Sequence, residues 1–338
     1  MEVVVVKCSN ISGSSAETQH LNHEYIDFWG KVAEFFEQNS IVFEGQYVRI
    51  SLEIDDVLNM LDNLKLENLD GYFNRLREEA EASGKFELPS PYGAEFKIKF
   101  IETPDSELWD SNYFAHRFVE LLFLAMNLCK RGACNLANFH LSCDKRPNAI
   151  YVDSIESAWH SADQNRWPLL KELDFNIVWN WLVKNGGLEY SLAKTSVTKA
   201  IAVLLSLSYS TSLISPSEVV QVSQVIESFL INKNEPKARA LEKKLPVLFG
   251  NPPNKLAKWP SQFYKLRSDI VHGEYPIFRP RFEEVDEHFD DSSEYYWKLV
   301  DAVYAGMSII LAIAQDLALE DADRYTFQEK IIVSRDKG

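Results

Sequence analysis

The sequence predicts an α+β protein in which a mixed α/β part is followed by a part made only of helices. Residues 2–8 are rich in β-branched side chains, and residues 95–102 alternate apolar and polar side chains, as strands do. From about residue 168 onward, apolar side chains recur at helical intervals instead. This change predicts two domains, at residues 1–165 and 166–338, and a chain of 338 residues favours the same division.

The remaining elements of the first part follow from local side-chain patterns. Residues 22–38 space their large apolar side chains as a helix does, and residues 111–130 form the strongest helical pattern before residue 165. Residues 41–54 alternate well enough for a strand or a hairpin. Residues 149–153 are a candidate for a further strand of the same sheet.

The second part contains helical patterns almost without interruption. Six segments show them: 169–185, 189–210, 215–231, 236–250, 258–273 and 292–320. Ser215 and Glu218 have the spacing of a capping box, which marks a helix start. Residues 304–319 are strongly apolar, but they include Gln315 and Asp316 and fall short of the roughly 20 residues that cross a membrane. They therefore predict a buried helix.

Charge and the start of the chain limit the classes of function. The net charge of −15 argues against a protein that coats nucleic acid through bulk electrostatics, and it confines any such binding to a small positive region. The first ten residues have too short an apolar run for a signal peptide and an acidic residue where a basic one belongs. We therefore expect a cytoplasmic protein with reduced thiols and no membrane partner.

Three of the four cysteines lie near one histidine, which raises the question of a zinc site. Cys129, Cys134, His140 and Cys143 are close in sequence, but they lack the paired C-x2-C arrangement of most structural zinc sites. Cys129 also continues an apolar helical face, where a free cysteine acts as a small apolar side chain. The sequence therefore predicts no metal and no cofactor.

The segment FYKLRSDIVHGEYP carries the residues best suited to chemistry. Three apolar side chains form a helical stripe that we expect to be buried: Phe263, Leu266 and Ile270. Arg267 lies to one side of that stripe, and His272 falls in the last turn. Gly273 is placed to adopt the left-handed conformation that ends many helices. The spacing predicts a cation and an imidazole close to a helix end, within reach of one groove.

Arginine and histidine are suited to cleaving RNA without a metal. Cleavage beside a 2′-hydroxyl requires a base for its proton, an acid for the leaving oxygen and positive charge at the phosphorus. Histidine titrates near neutral pH and can act as acid or base. Arginine remains charged and binds phosphate oxygens with a planar fork. The nucleophile is part of the substrate, so Arg267 and His272 are the candidate catalytic residues.

The string R-S-D-I-V-H-G resembles the Arg-x4-His signature of the HEPN superfamily, and its surroundings resemble the ApeA-like HEPN domains of bacterial anti-phage proteins. The resemblance covers roughly residues 185–320 and implies a helical bundle, a homodimer and a metal-independent endoribonuclease. It carries Arg267 and His272 over as catalytic residues. It also implies supporting roles for Glu227, which lies two helices earlier, for Tyr264, and for Ser268, which stands where many HEPN ribonucleases have Asn, Asp or His.

Two alternatives remain open at this stage. Arg267 could pair with an acidic neighbour. His272 could then be a structural residue at the end of the helix, where its side chain interacts favourably with the helix dipole. The second part could also be a non-catalytic HEPN module that dimerises or binds a nucleotide or a partner protein. The intact Arg267–His272 pair favours an anti-phage or toxin-like effector that cleaves RNA, whereas Ser268 and the acidic chain favour the module.

Overall fold

The computed structural model describes residues 2–13, 22–66, 93–142, 144, 147–189, 192–209, 214–276 and 291–328. Those residues form six strands and ten helices, which confirms the α+β class. The strands are β1 Val3–Cys8, β2 Ile41–Phe43, β3 Gln46–Glu53, β4 Ala94–Glu102, β5 Leu136–Leu141 and β6 Asn148–Ile150. The helices are α1 Asn22–Gln38, α2 Asp55–Leu66, α3 Ser111–Cys129, α4 Asp153–Asn165, α5 Phe175–Lys184, α6 Ser196–Ser208, α7 Pro216–Leu230, α8 Lys237–Phe249, α9 Trp259–Val271 and α10 Asp291–Leu319.

The strands form one antiparallel sheet in the order β2-β3-β4-β1-β5-β6. In β4 the side chains alternate as predicted, because Ile98 is buried while Lys97 lies on the other face and pairs with Glu53 of β3. Ile98 stands opposite Val4 of β1 and Leu52 of β3, so an apolar row crosses three strands. Residues 41–54 form the predicted hairpin, and residues 148–150 return to the sheet as β6.

Helix α10 lies at the centre of the helical part, in contact with α4, α5 and α7. The segment Glu294–Leu319 has the length and composition of a membrane span, but 83% of its most apolar window is buried inside the fold. The prediction of a buried helix at residues 304–319 is therefore confirmed. Buried apolar side chains form one cluster across both predicted parts, with α4 of the first part against α10 of the second.

Two predicted helices begin later than expected, α5 because its predicted first residues bond elsewhere and α6 because Thr195 caps it. The Lys171 N–H donates to the side chain of Gln315 in α10 at 3.0 Å, and the Leu173 N–H donates to the carbonyl of Cys129 at 3.0 Å. The chain is thereby held between α3 and α10, and α5 begins only at Phe175. Helix α6 begins after Thr195, whose side chain caps the helix through the N–H of Thr198.

Candidate functional site

Helix α9 ends in a tight turn that exposes His272. The Gly273 N–H donates to the carbonyl of Ile270 at 3.2 Å, and the Glu274 N–H donates to that of Asp269 at 2.7 Å. This pair of bonds is the Schellman arrangement, which requires a left-handed residue at the position of Gly273. Gly273 has φ +74°, as the sequence predicted. The His272 N–H donates to the carbonyl of Ser268 at 2.9 Å, and the residue itself is exposed at the helix end.

Arg267 is half-buried and forms no ion pair with a carboxylate of the described residues. Its Nε atom is buried and has no hydrogen-bond partner, and no carboxylate of the described chain lies within ion-pair distance of its guanidinium. The acidic residue nearest in sequence, Asp269, pairs with Lys265 at 3.0 Å instead. The alternative in which Arg267 serves an ion pair therefore has no support among the residues with a defined position.

Three of the predicted site residues meet where α7 packs against α9. Burial first, and then the negative charge of Glu227, raise the pKa of the Tyr264 hydroxyl, while the charge of Arg267 opposes the shift. Tyr264 OH, Glu227 Oε1 and Arg267 Nε are all buried, and none of them has a partner in regular hydrogen-bond geometry. The second oxygen of Glu227 pairs with Lys237 of α8 at 2.5 Å.

Glu227 also borders a hollow of about 620 Å³ at the surface between α6 and α7. Three lysines line this hollow: Lys199, Lys233 and Lys237. Two carboxylates, Glu227 and Glu235, lie among them. Lysine is thus in slight excess, in a chain that is acidic overall. Sequence reasoning did not assign these lysines, because they come from separate segments that only the fold brings together.

His272 leaves α9 in a different direction from Arg267. At about 100° per residue, five positions separate the two side chains by roughly 140° around the helix axis. His272 lies one turn after the half-buried Ser268, on the side of α9 that also carries the exposed Lys265. The structure thus brings together Glu227, Tyr264 and Arg267, and it leaves Ser268 and His272 on the adjoining surface.

A cleft of about 1070 Å³ lies between α9, α4 and α10. It receives Leu266 and Asp269 from α9, but neither Arg267 nor His272 lines it. This cleft is therefore not a groove that the two predicted catalytic residues share. The cleft also contains Trp259, which sequence reasoning passed over because it continues the apolar stripe of Phe263 and so resembles a core residue.

The cysteines show the properties expected of apolar packing. Cys8, Cys129 and Cys134 are free and buried, and burial raises the pKa of the Cys8 thiol to about 12. Cys143 lies outside the described residues, so the absence of zinc at this cluster stays a prediction. Among the residues that the structure describes, no three His, Cys, Asp or Glu side chains are grouped as metal ligands.

Comparisons with known proteins add no assignment to this geometry. No protein-family model, no curated protein and no solved structure matches the chain.

Proposed function

We propose that the chain is a metal-independent endoribonuclease of HEPN type, acting as an anti-phage or toxin-like effector, with Arg267 and His272 as its catalytic residues. One observation carries the proposal. Arg267 is half-buried and forms no ion pair with a carboxylate of the described residues, which supports a role for its charge in binding a phosphate. The exposed imidazole of His272 stands at the end of the same helix.

In the proposed reaction, histidine transfers protons and arginine binds the phosphate. An imidazole removes the proton of a 2′-hydroxyl, whose oxygen attacks the adjacent phosphorus as the bond to the 5′-oxygen breaks. A protonated imidazole returns a proton to that leaving oxygen, and the products are a cyclic phosphate and a 5′-hydroxyl. The planar fork of Arg267 binds the phosphate oxygens as their negative charge increases. Tyr264 and Glu227 lie beside Arg267 where α7 packs against α9.

A homodimer supports this role better than a single chain. Arg267 and His272 project from α9 about 140° apart, and one imidazole cannot be base and acid in the same step. Two copies that meet through their α9 ends would supply two imidazoles and two guanidinium groups to one cleft. The lysines around the hollow beside Glu227 would give RNA a local positive surface.

The competing function is a non-catalytic HEPN module that dimerises or binds a nucleotide or a partner protein. The net charge of −15 favours it, because RNA is repelled by most of the surface. In that case Arg267 and His272 are binding residues, and their replacement weakens association with the ligand without changing RNA.

The test is RNA cleavage by the purified protein in the presence of a chelator. Wild type is expected to cut structured or unstructured RNA and to leave cyclic-phosphate or 3′-phosphate ends opposite 5′-hydroxyl ends. His272→Ala is expected to slow cleavage by about 10²- to 10⁴-fold. His23→Ala is the matched control, since His23 is another exposed histidine, at the start of α1. Cleavage by His272→Ala at the wild-type rate would remove this residue from the mechanism, and absence of cleavage by wild type would favour the module.

A further inference from the structure

The hollow between α6 and α7 is locally basic on a chain that is acidic overall. It has a volume of about 620 Å³ and lies at the surface beside Glu227. Its three lysines come from different elements: Lys199 from α6, Lys233 from the turn after α7, and Lys237 from the first turn of α8. The chain has a net charge of −15, so this group of lysines is a candidate for binding an anion that most of the surface repels.

The two carboxylates that line the hollow are each paired with a lysine. Glu227 accepts from Lys237 at 2.5 Å, and Glu235 accepts from Lys244, a buried lysine of α8, at 2.6 Å. The hydrogen bond from Lys244, and then that from the N–H of Asn232, lower the pKa of Glu235. This carboxylate therefore stays ionised in its ion pair and does not serve the remaining lysines of the hollow.

Lys199 and Lys233 form no ion pair with a carboxylate of the described residues. Lys199 is half-buried and Lys233 is exposed. The amides of Gln224 and Asn234, both exposed, line the same hollow and supply neutral donors. Ammonium groups and amide N–H groups are the side-chain donors that contact phosphate oxygens in nucleic-acid complexes. The hollow therefore favours a phosphate over a cation or a neutral ligand.

The lining of the hollow favours the backbone of a nucleic acid over its bases or an enclosed small molecule. Lys233, Asn234 and Lys237 are exposed, whereas a small-molecule pocket buries most of its ligand. No aromatic side chain is among the described residues that line the hollow, so none of them offers a ring on which a base could stack. Lysine binds phosphate as a point charge and carries no information about the base.

Glu227 links this hollow to Arg267. One oxygen of its carboxylate pairs with Lys237, which lines the hollow, and the other oxygen is buried. The charges of Glu227 and Arg267 both act on the pKa of the Tyr264 hydroxyl. The hollow and Arg267 are therefore neighbours, with Tyr264 close to both.

We propose that Lys199 and Lys233 bind the phosphate backbone of single-stranded RNA next to the phosphate that Arg267 holds, without selecting the base sequence. The proposal rests on the ribonuclease function proposed above. It also assigns to two residues the small positive region to which the acidic chain confines RNA. The two lysines contribute affinity and take no part in proton transfer, so their loss should raise KM for cleavage and leave kcat unchanged.

The experiment is fluorescence anisotropy of the full-length protein with short single-stranded RNA that carries a methyl group on every 2′-oxygen. The methyl group blocks the attacking oxygen, so binding is measured without cleavage. Each phosphate contact to a single strand contributes about 0.7 to the slope of log affinity against log salt. The double variant Lys199→Gln/Lys233→Gln should therefore reduce the steepness of the wild-type slope by about 1.4, and it should lower the affinity by about 25-fold near 0.1 M salt. Uridine and cytidine repeats should bind equally well.

The matched control is the double variant Lys31→Gln/Lys171→Gln. It makes the same change of charge at two exposed lysines that do not line the hollow, Lys31 on α1 and Lys171 before α5. We expect it to keep the wild-type affinity and slope. Equal affinity of the two double variants would overturn the proposal, and so would a strong preference for one base sequence. Binding of inorganic phosphate without binding of RNA would overturn it as well.

Cleavage of unmodified RNA by the same proteins separates this proposal from the ribonuclease function. If wild type cleaves RNA while the two double variants bind it alike, the ribonuclease function stands and the backbone contacts of Lys199 and Lys233 are wrong. If wild type leaves RNA intact but loses affinity only in Lys199→Gln/Lys233→Gln, the backbone contacts stand and the ribonuclease function is wrong.

Discussion

The backbone N–H of Glu274 donates to the carbonyl of Asp269 at 2.7 Å, so that the chain closes on itself around His272 and Gly273. The N–H of Tyr275 donates to the same carbonyl at 3.1 Å, so both bonds satisfy a group at the end of α9 that no helical N–H reaches. They also fix the backbone from which the His272 side chain projects. The position of the proposed catalytic imidazole is therefore set by the left-handed conformation of Gly273.

Replacement of Gly273 tests that dependence. Gly273→Ala should lower the free energy of unfolding by about 1–3 kcal/mol, because a Cβ is unfavourable at φ +74° although the space around it is open. Gly250→Ala is the matched control, since Gly250 has the same φ at the end of α8. Thermal unfolding should detect a loss in both variants, whereas only Gly273→Ala should reduce RNA cleavage. Equal cleavage by the two would show that the turn does not position His272 for catalysis.

Arg267→Lys tests the need for a planar guanidinium. Lysine keeps the charge but lacks the fork and the Nε group that Arg267 buries beside Tyr264 and Glu227. We expect cleavage to remain close to that of Arg267→Ala, with little change in thermal stability. Arg239→Lys, at an exposed position of α8, should cleave as wild type does. Full activity of Arg267→Lys would leave only a general electrostatic role for this residue.

The proposed site also predicts a dimer. Light scattering at tens of micromolar protein should give about twice the mass of one 38.9 kDa chain. Val271→Asp should weaken the assembly, because Val271 is 49% exposed on the last turn of α9, next to His272, and would carry a charge into the contact. A strict monomer, with and without RNA, would contradict a site shared between two chains.

Glu218 predicts a dependence of stability on pH. Burial raises the pKa of this carboxyl from 4.5 to about 7, while the N–H of Ser215, which donates to it at 2.7 Å, opposes the shift. The folded state therefore binds the proton more tightly than the unfolded state. The contribution is complete below about pH 4.5 and is lost as the pH rises through about 7, by up to about 3 kcal/mol.

Glu218→Gln isolates this contribution, because glutamine keeps an acceptor for Ser215 but does not titrate. The unfolding free energy of wild type should fall, relative to that of the variant, between about pH 4.5 and 7. Urea titrations at several pH values measure the difference. A constant difference across this range would show that Glu218 does not hold its proton in the fold.

Alanine substitutions at two helical glycines should change the stability of the fold in opposite directions. A Cβ on Gly306 of α10 would overlap the side chain of Val222 in α7, so Gly306→Ala should destabilise the fold by about 1–3 kcal/mol despite the better helix propensity of alanine. Gly30 of α1 has no atom within 4 Å of such a Cβ, and Gly30→Ala should stabilise by about 0.5–1 kcal/mol. Thermal unfolding of both variants tests the close approach of α7 and α10. Stabilisation by Gly306→Ala would contradict it.

The sequence predicted those helices and strands in which apolar and polar side chains keep a regular spacing along the whole element. The alternation in β4 and the Ser215–Glu218 spacing before α7 are examples, since each depends only on near neighbours. Strand β5 escaped prediction because Asn138 adopts φ +49° and the register shifts between Leu136 and Phe139, which breaks the alternation.

Some parts of the candidate site could likewise be predicted from the sequence, and others could not. Residues on one helix could be predicted from their spacing, and the sequence placed Arg267, His272 and the turn at Gly273 on α9. The proximity of Glu227 to Tyr264 came from a family resemblance rather than from spacing. The cleft around Trp259 could not be predicted, because its walls on α4 and α10 come from segments far apart in the chain and only tertiary packing joins them.

The central position of α10 has a consequence for synthesis. Every described helix that it contacts precedes it in the chain, and its buried face completes their core. A nascent chain therefore cannot close this core until α10 has emerged from the ribosome. Translation that stops before residue 291 would leave the proposed ribonuclease without its central helix, so incomplete copies should be cleared by proteolysis before they could damage RNA in the cell that makes them.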